Sequence, residues 1–110
     1  MTSKLRLLVA IAALAAGGCA TAQRGAMIRA YSAISDGRFD SALARLAEAE
    51  KHTPPTPQLQ AEISFLRAKS YEGLKQTPDA IGTYKYIVAT FPQSSYAFQA
   101  TERLKLLDAK

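Results

Sequence analysis

The chain predicts an all-α fold, two antiparallel helical hairpins followed by a capping helix. Three observations carry that prediction. Apolar residues recur at three- and four-residue spacing from residue 24 to residue 108, prolines and glycines fall between these stretches, and the helical pattern repeats at a constant offset. At 110 residues there is room for one small domain. No cysteine beyond Cys19 is present to staple it, so stability has to come from helix packing.

The first helix is marked by Met27, Ala30, Tyr31 and Ile34 at i, i+3, i+4 and i+7, and the second by Ala42, Leu43, Leu46 and Ala49. Between them SDGRFD, residues 35–40, supplies Gly37 to close one helix and Asp40 to place a carboxylate in the first turn of the next. KHTPPTPQ, residues 51–58, ends this hairpin, because its prolines lack the backbone donor and push their predecessors into extended conformations. Thr56 with Pro57 predicts an N-cap and first helical position, and Thr77 with Pro78 predicts the same again. Leu59, Ile63, Leu66 and Tyr71 mark the third helix; Ala80, Ile81, Tyr84, Ile87 and Val88 mark the fourth. Residues 93–109 predict a fifth, capped by Ser94 or Ser95, with Ala97, Ala100, Leu104 and Leu107 along one face.

The N-terminal segment has a different character. Residues 1–18 predict a secretory signal, with Lys4 and Arg6 before the apolar run LLVAIAALAA and small residues after it. A bilayer span needs roughly 20 apolar residues, so this run is too short to be a transmembrane anchor. Two processing readings follow. Ala20, Thr21 and Ala22 form an A-x-A pattern whose cleavage would release a soluble periplasmic protein starting at Gln23. AGGC, residues 16–19, resembles instead the lipobox of bacterial lipoproteins, in which small residues give the peptidase access and the cysteine thiol is acylated. The pattern departs from that family in having Ala16 where leucine is preferred. The resemblance implies that Cys19 is the lipidation site and residues 19–23 a lipidated linker to a domain over 24–110. With Ala20 rather than aspartate next, it also implies the periplasmic face of the outer membrane.

The two hairpins align at one offset of 38 residues: Ala30 with Ala68, Ala42 with Ala80, Leu46 with Tyr84, Ala49 with Ile87 and Pro54 with Pro92. In these residues the chain resembles the tetratricopeptide repeat (TPR), a short α-solenoid unit of two helices. The second copy fits better, with Ala68, Tyr71, Gly73, Ala80, Tyr84 and Pro92 in register, whereas the first has Ala26 and Ala33 where the family favours aromatics. The fifth helix has Glu102 where a small residue belongs, which predicts a cap on the stack. FPQSSYAFQATERL, residues 91–104, is similar to repeat ends of envelope lipoproteins such as the tetratricopeptide component of the outer-membrane barrel assembly machinery.

Composition and motifs argue against other classes. The formal charge of +5 falls to +3 once Lys4 and Arg6 leave with the signal, a mild excess that does not predict a nucleic-acid footprint. One histidine, no H-E-x-x-H, no phosphate-binding glycine loop and no obvious carboxylate pair predict no enzyme, no cofactor and no metal. His52 complements a helix C-terminus. Glu48, Glu50 and Lys51, like Glu62, Lys69 and Glu72, predict solvated faces. Tyr84, Tyr86, Phe91, Tyr96 and Phe98 predict core, with an exposed docking patch as the alternative.

The resemblance implies a non-enzymatic scaffold or adaptor in an envelope assembly, contacting protein partners through its first-helix faces. Those faces carry Arg24, Met27, Tyr31 and Ile34, then Phe65, Lys69 and Glu72. Met27, Tyr31, Ile34, Phe65 and Lys69 are the expected contact residues, the apolar ones exposed and able to support a homo-oligomer. The lysine and asparagine that clamp a C-terminal carboxylate in some members are absent. A pilotin-like factor carrying a secretin or pilus subunit is the alternative role.

Overall fold

The computed structural model describes residues 21–52 and 54–108. The segment expected to be a signal, residues 1–18, and Cys19 lie outside the described residues. Five helices and no strand occur among the described residues: α1 over residues 21–35, α2 Phe39–His52, α3 Pro57–Gly73, α4 Thr77–Thr90 and α5 Ser95–Asp108. Residues 21–23, assigned by sequence to a linker, are helical.

The turns work largely as the residue types require. Gly37 has a φ of 76°, which glycine adopts without a Cβ penalty. Around it Arg38 N–H reaches Ala33 C=O and Gly37 N–H reaches Ile34 C=O, the paired bonds of a Schellman cap. One repeat later Lys75 occupies the same left-handed conformation, with Gln76 N–H on Tyr71 C=O and Lys75 N–H on Glu72 C=O. The second hairpin therefore makes the same turn with a residue that resists it. Thr56 caps α3 by accepting from Leu59 N–H at 3.2 Å, and Ser94 accepts from Tyr96 N–H before α5. Thr77 does not repeat the device: Gln76 holds the cap position without a side-chain bond, and Thr77 is already helical.

Two clusters make the core. Ala26, Met27 and Ala30 of α1 pack with Leu46 and Ala49 of α2 and Ile63 and Leu66 of α3. Ala68 of α3 packs with Ala80, Tyr84 and Ile87 of α4 and Ala97 and Ala100 of α5. Helix α3 thus stands between the clusters and buries Ala61, Ile63, Ser64, Leu66, Ala68 and Ser70 around more than one face. Buried Ser70 is satisfied by donating its hydroxyl to Leu66 C=O at 2.8 Å. Gly73 has its own reason: a Cβ there would lie 2.3 Å from the Phe39 ring, so the start of α2 crosses the end of α3 only over a glycine.

Candidate functional site

The alanines of α1 and α2 let the first hairpin close tightly, and α3 covers one flank of α1. No described element covers the other. The step between α1 and α3 is an open groove of about 420 Å³ lined by Gln23, Arg24, Met27, Ile28, Tyr31, Leu59 and Glu62. Its exposed apolar groups are Ile28, 69% accessible, and Tyr31. Tyr31 donates its hydroxyl to the Glu62 carboxylate and so ties α1 to α3 across the groove. Burial and then the hydrogen bond and charge of Glu62 push that hydroxyl above the ordinary tyrosine range. The lining carries no thiol, imidazole or aliphatic hydroxyl. What it offers is an apolar floor between a guanidinium and a carboxylate, suited to holding an apolar side chain with polar flanks.

The five expected contact residues separate. Met27 and Tyr31 meet in this groove, but Met27 is only 8% accessible and belongs to the core, which corrects the expectation that it is exposed. Ile34 is half-buried against the same cluster. Phe65 packs with the second cluster and does not line the groove, its ring centroid 5.8 Å from that of Tyr84 and 5.4 Å from that of Tyr96. Lys69 is half-buried and is not part of the groove. Sequence reasoning missed Ile28, Leu59 and Glu62. For Ile28 a signal existed: it sits one offset before Leu66, which is buried.

Two further expectations change. Glu72 is not solvated: its side chain is 15% accessible and receives Arg103 Nε at 3.2 Å, a second bond from Arg103 Nη2, and the Tyr84 hydroxyl. Burial raises the pKa of this carboxyl, but the Arg103 and Tyr84 bonds with the guanidinium charge outweigh it and hold the group below its ordinary value. Burial, then the bond to and charge of Glu72, push the Tyr84 hydroxyl far upward. Of the aromatics expected in the core, Tyr84 is buried and Phe91 and Tyr96 half-buried, whereas Tyr86 and Phe98 are exposed. Elsewhere Glu50 pairs with Arg67, and Glu48 with Arg45 at 2.7 Å.

A second open groove, of about 630 Å³, runs between Pro57 and Gln58 at the start of α3 and residues 90–96. Among the described residues no group of three or more histidine, cysteine, aspartate or glutamate side chains is placed to hold a metal ion, and no helix is long and apolar enough to cross a membrane. No model of a known protein family matches the chain, and neither curated proteins nor solved structures match it.

Proposed function

We propose that the protein is a non-enzymatic interaction module, a short TPR-like solenoid held at the periplasmic face of the outer membrane by an acylated Cys19, and that the α1–α3 groove receives an apolar segment of an envelope protein. The solenoid reading is supported by burial that recurs at the repeat offset: Ala30 with Ala68, Ala42 with Ala80, Leu46 with Tyr84 and Ala49 with Ile87 are all fully buried. The single observation that carries the groove is the contrast between Ile28 and Leu66. They hold the same repeat position, yet Leu66 is covered by the preceding hairpin and Ile28 is bare. A large apolar side chain left in water beside Tyr31 favours a partner that covers it.

The test is an Ile28→Glu, Tyr31→Ser double variant, which touches the groove without entering the core. It should keep its helical circular dichroism while losing partners in crosslinking on membranes, or losing a dimer in light scattering. Retention of every crosslink together with an unchanged mass would show that the groove is idle.

A further inference from the structure

We propose that the end of the bundle bearing the start of α1 is a lipid-apposing face that rests against anionic phospholipid headgroups. This rests on the reading of Cys19 as an acylated anchor. The up-and-down course of the helices sorts the chain between two ends. The starts of α1, α3 and α5 and the ends of α2 and α4 share one: Gln23 Nε2 donates to Ala49 C=O at 2.9 Å, and Pro57 and Gln58 face residues 90–96. The turns at residues 36–38 and 74–76 share the other, with the Phe39 ring over Gly73.

Carboxylates are divided unevenly between these ends, and Glu48 and Glu50 in the last turns of α2 are taken up by Arg45 and Arg67. Every aspartate of the chain, Asp36, Asp40, Asp79 and Asp108, lies at the turn end. The segments at the first end, residues 21–24, 51–58 and 90–96, contain no aspartate or glutamate and carry the exposed cations Arg24 and Lys51. Helix dipoles do not account for the division. They explain Asp40 and Asp79 in the first turns of α2 and α4, yet the same preference would place carboxylates in the first turns of α3 and α5, and neither has one. Of the three helices that start at the first end, α3 and α5 leave their partly positive N-termini without an acidic residue in the first turn.

Apolar exposure falls at the same end. Pro54, Pro57 and Pro92 are exposed in its loops, and Phe98, 70% accessible, stands one turn into α5. Exposed cations, helix N-termini with no acidic residue in the first turn, and apolar residues in loops that carry no carboxylate suit a surface of phosphates over acyl chains. Tether length fits: Cys19 lies two residues before Thr21, about 7 Å at full extension, so an anchored domain cannot stand clear of the headgroups.

The experiment uses the full chain as the cell processes it, with a fluorophore on a cysteine introduced by Gln93→Cys at the proposed face or by Asp79→Cys at the turn end. Both sites are exposed, and an acylated Cys19 does not take the label. Each protein is combined with phosphatidylethanolamine and phosphatidylglycerol vesicles containing a headgroup-nitroxide quencher. The Gln93 probe should be quenched several-fold more than the Asp79 probe, and equal or reversed quenching overturns the proposal. Intact mass reads the anchor separately: protein starting unacylated at Gln23 defeats the anchor reading, while the quenching contrast still judges the face. Arg24→Glu with Lys51→Glu should lower vesicle association of that soluble form by about fivefold or more for each charge reversed, and should shrink the quenching contrast of the anchored form. An unchanged value overturns the headgroup assignment.

Discussion

The two hairpins follow one plan with different materials. At the shared positions the first uses Ala26, Ala33, Leu46 and Ala49, and the second uses Ser64, Tyr71, Tyr84 and Ile87. Both sets fill space between helices, but the larger side chains of the second reach further and bring polar atoms with them. Tyr84 carries a hydroxyl into the core, which Glu72 accepts, and Glu72 in turn is held by Arg103 of α5. In the first hairpin Ile34 stands where Glu72 stands in the second, and no such node forms there. The difference teaches that a repeat specifies where helices approach, while the chemistry at each approach follows from what lies on either side. The second hairpin is flanked by helices on both sides, and the first keeps an open flank at Ile28.

The largest expected effect tests the shared plan. Ala42→Arg and Ala80→Arg should both unfold the domain or nearly so, because each forces a bulky, unpaired charge into a site with no accessible surface. The cost, several kcal/mol, is about the scale of total stability. Thermal melting of both beside Glu48→Arg, on a half-exposed face, makes the comparison; a tolerant Ala42→Arg would show that the first hairpin is not built like the second.

The node found only in the second hairpin should respond to charge and pH. Arg103→Met leaves the mostly buried Glu72 short of its partner and should cost about 1–3 kcal/mol at neutral pH. Because the folded Glu72 pKa lies below its ordinary 4.5, the node stabilises fully above that value and its contribution is lost as pH falls through the lowered folded one. The stability gap between wild type and Arg103→Met, measured by urea unfolding, should therefore be widest near neutrality and close in acid. A gap that persists unchanged at pH 2 would assign the effect to packing of the arginine stem.

The smallest effects come from the matched turns and should have opposite signs. Gly37→Ala forces a Cβ into the left-handed region and should cost about 1 kcal/mol, while Lys75→Gly relieves that strain and should gain up to about as much. Chemical denaturation resolves changes of this size, and equal signs would break the equivalence of the turns.

Most of the helical plan was legible in the residues themselves. Prolines and glycines delimit helices by local backbone physics, apolar spacing assigns a face to each, and the offset of 38 predicts which residues recur in the core. Local rules went astray where a neighbour had the deciding part. Thr77 has the right residue type for a cap, but the Lys75 turn lets α4 begin around it. Glu72 has the spacing of a solvated residue, and only the arrival of Arg103, 31 positions later, makes it a buried pair.

By itself, then, the sequence determined the helices, their turns and the repeat that relates them, because those depend on interactions within a few residues. The tertiary structure alone decided that Met27 turns inward while Ile28 stays bare, that Gly73 is needed beneath the Phe39 ring, and that three segments without a carboxylate gather at one end of the bundle. Periodicity says which side chains share a face, and only packing says what, if anything, comes to cover it.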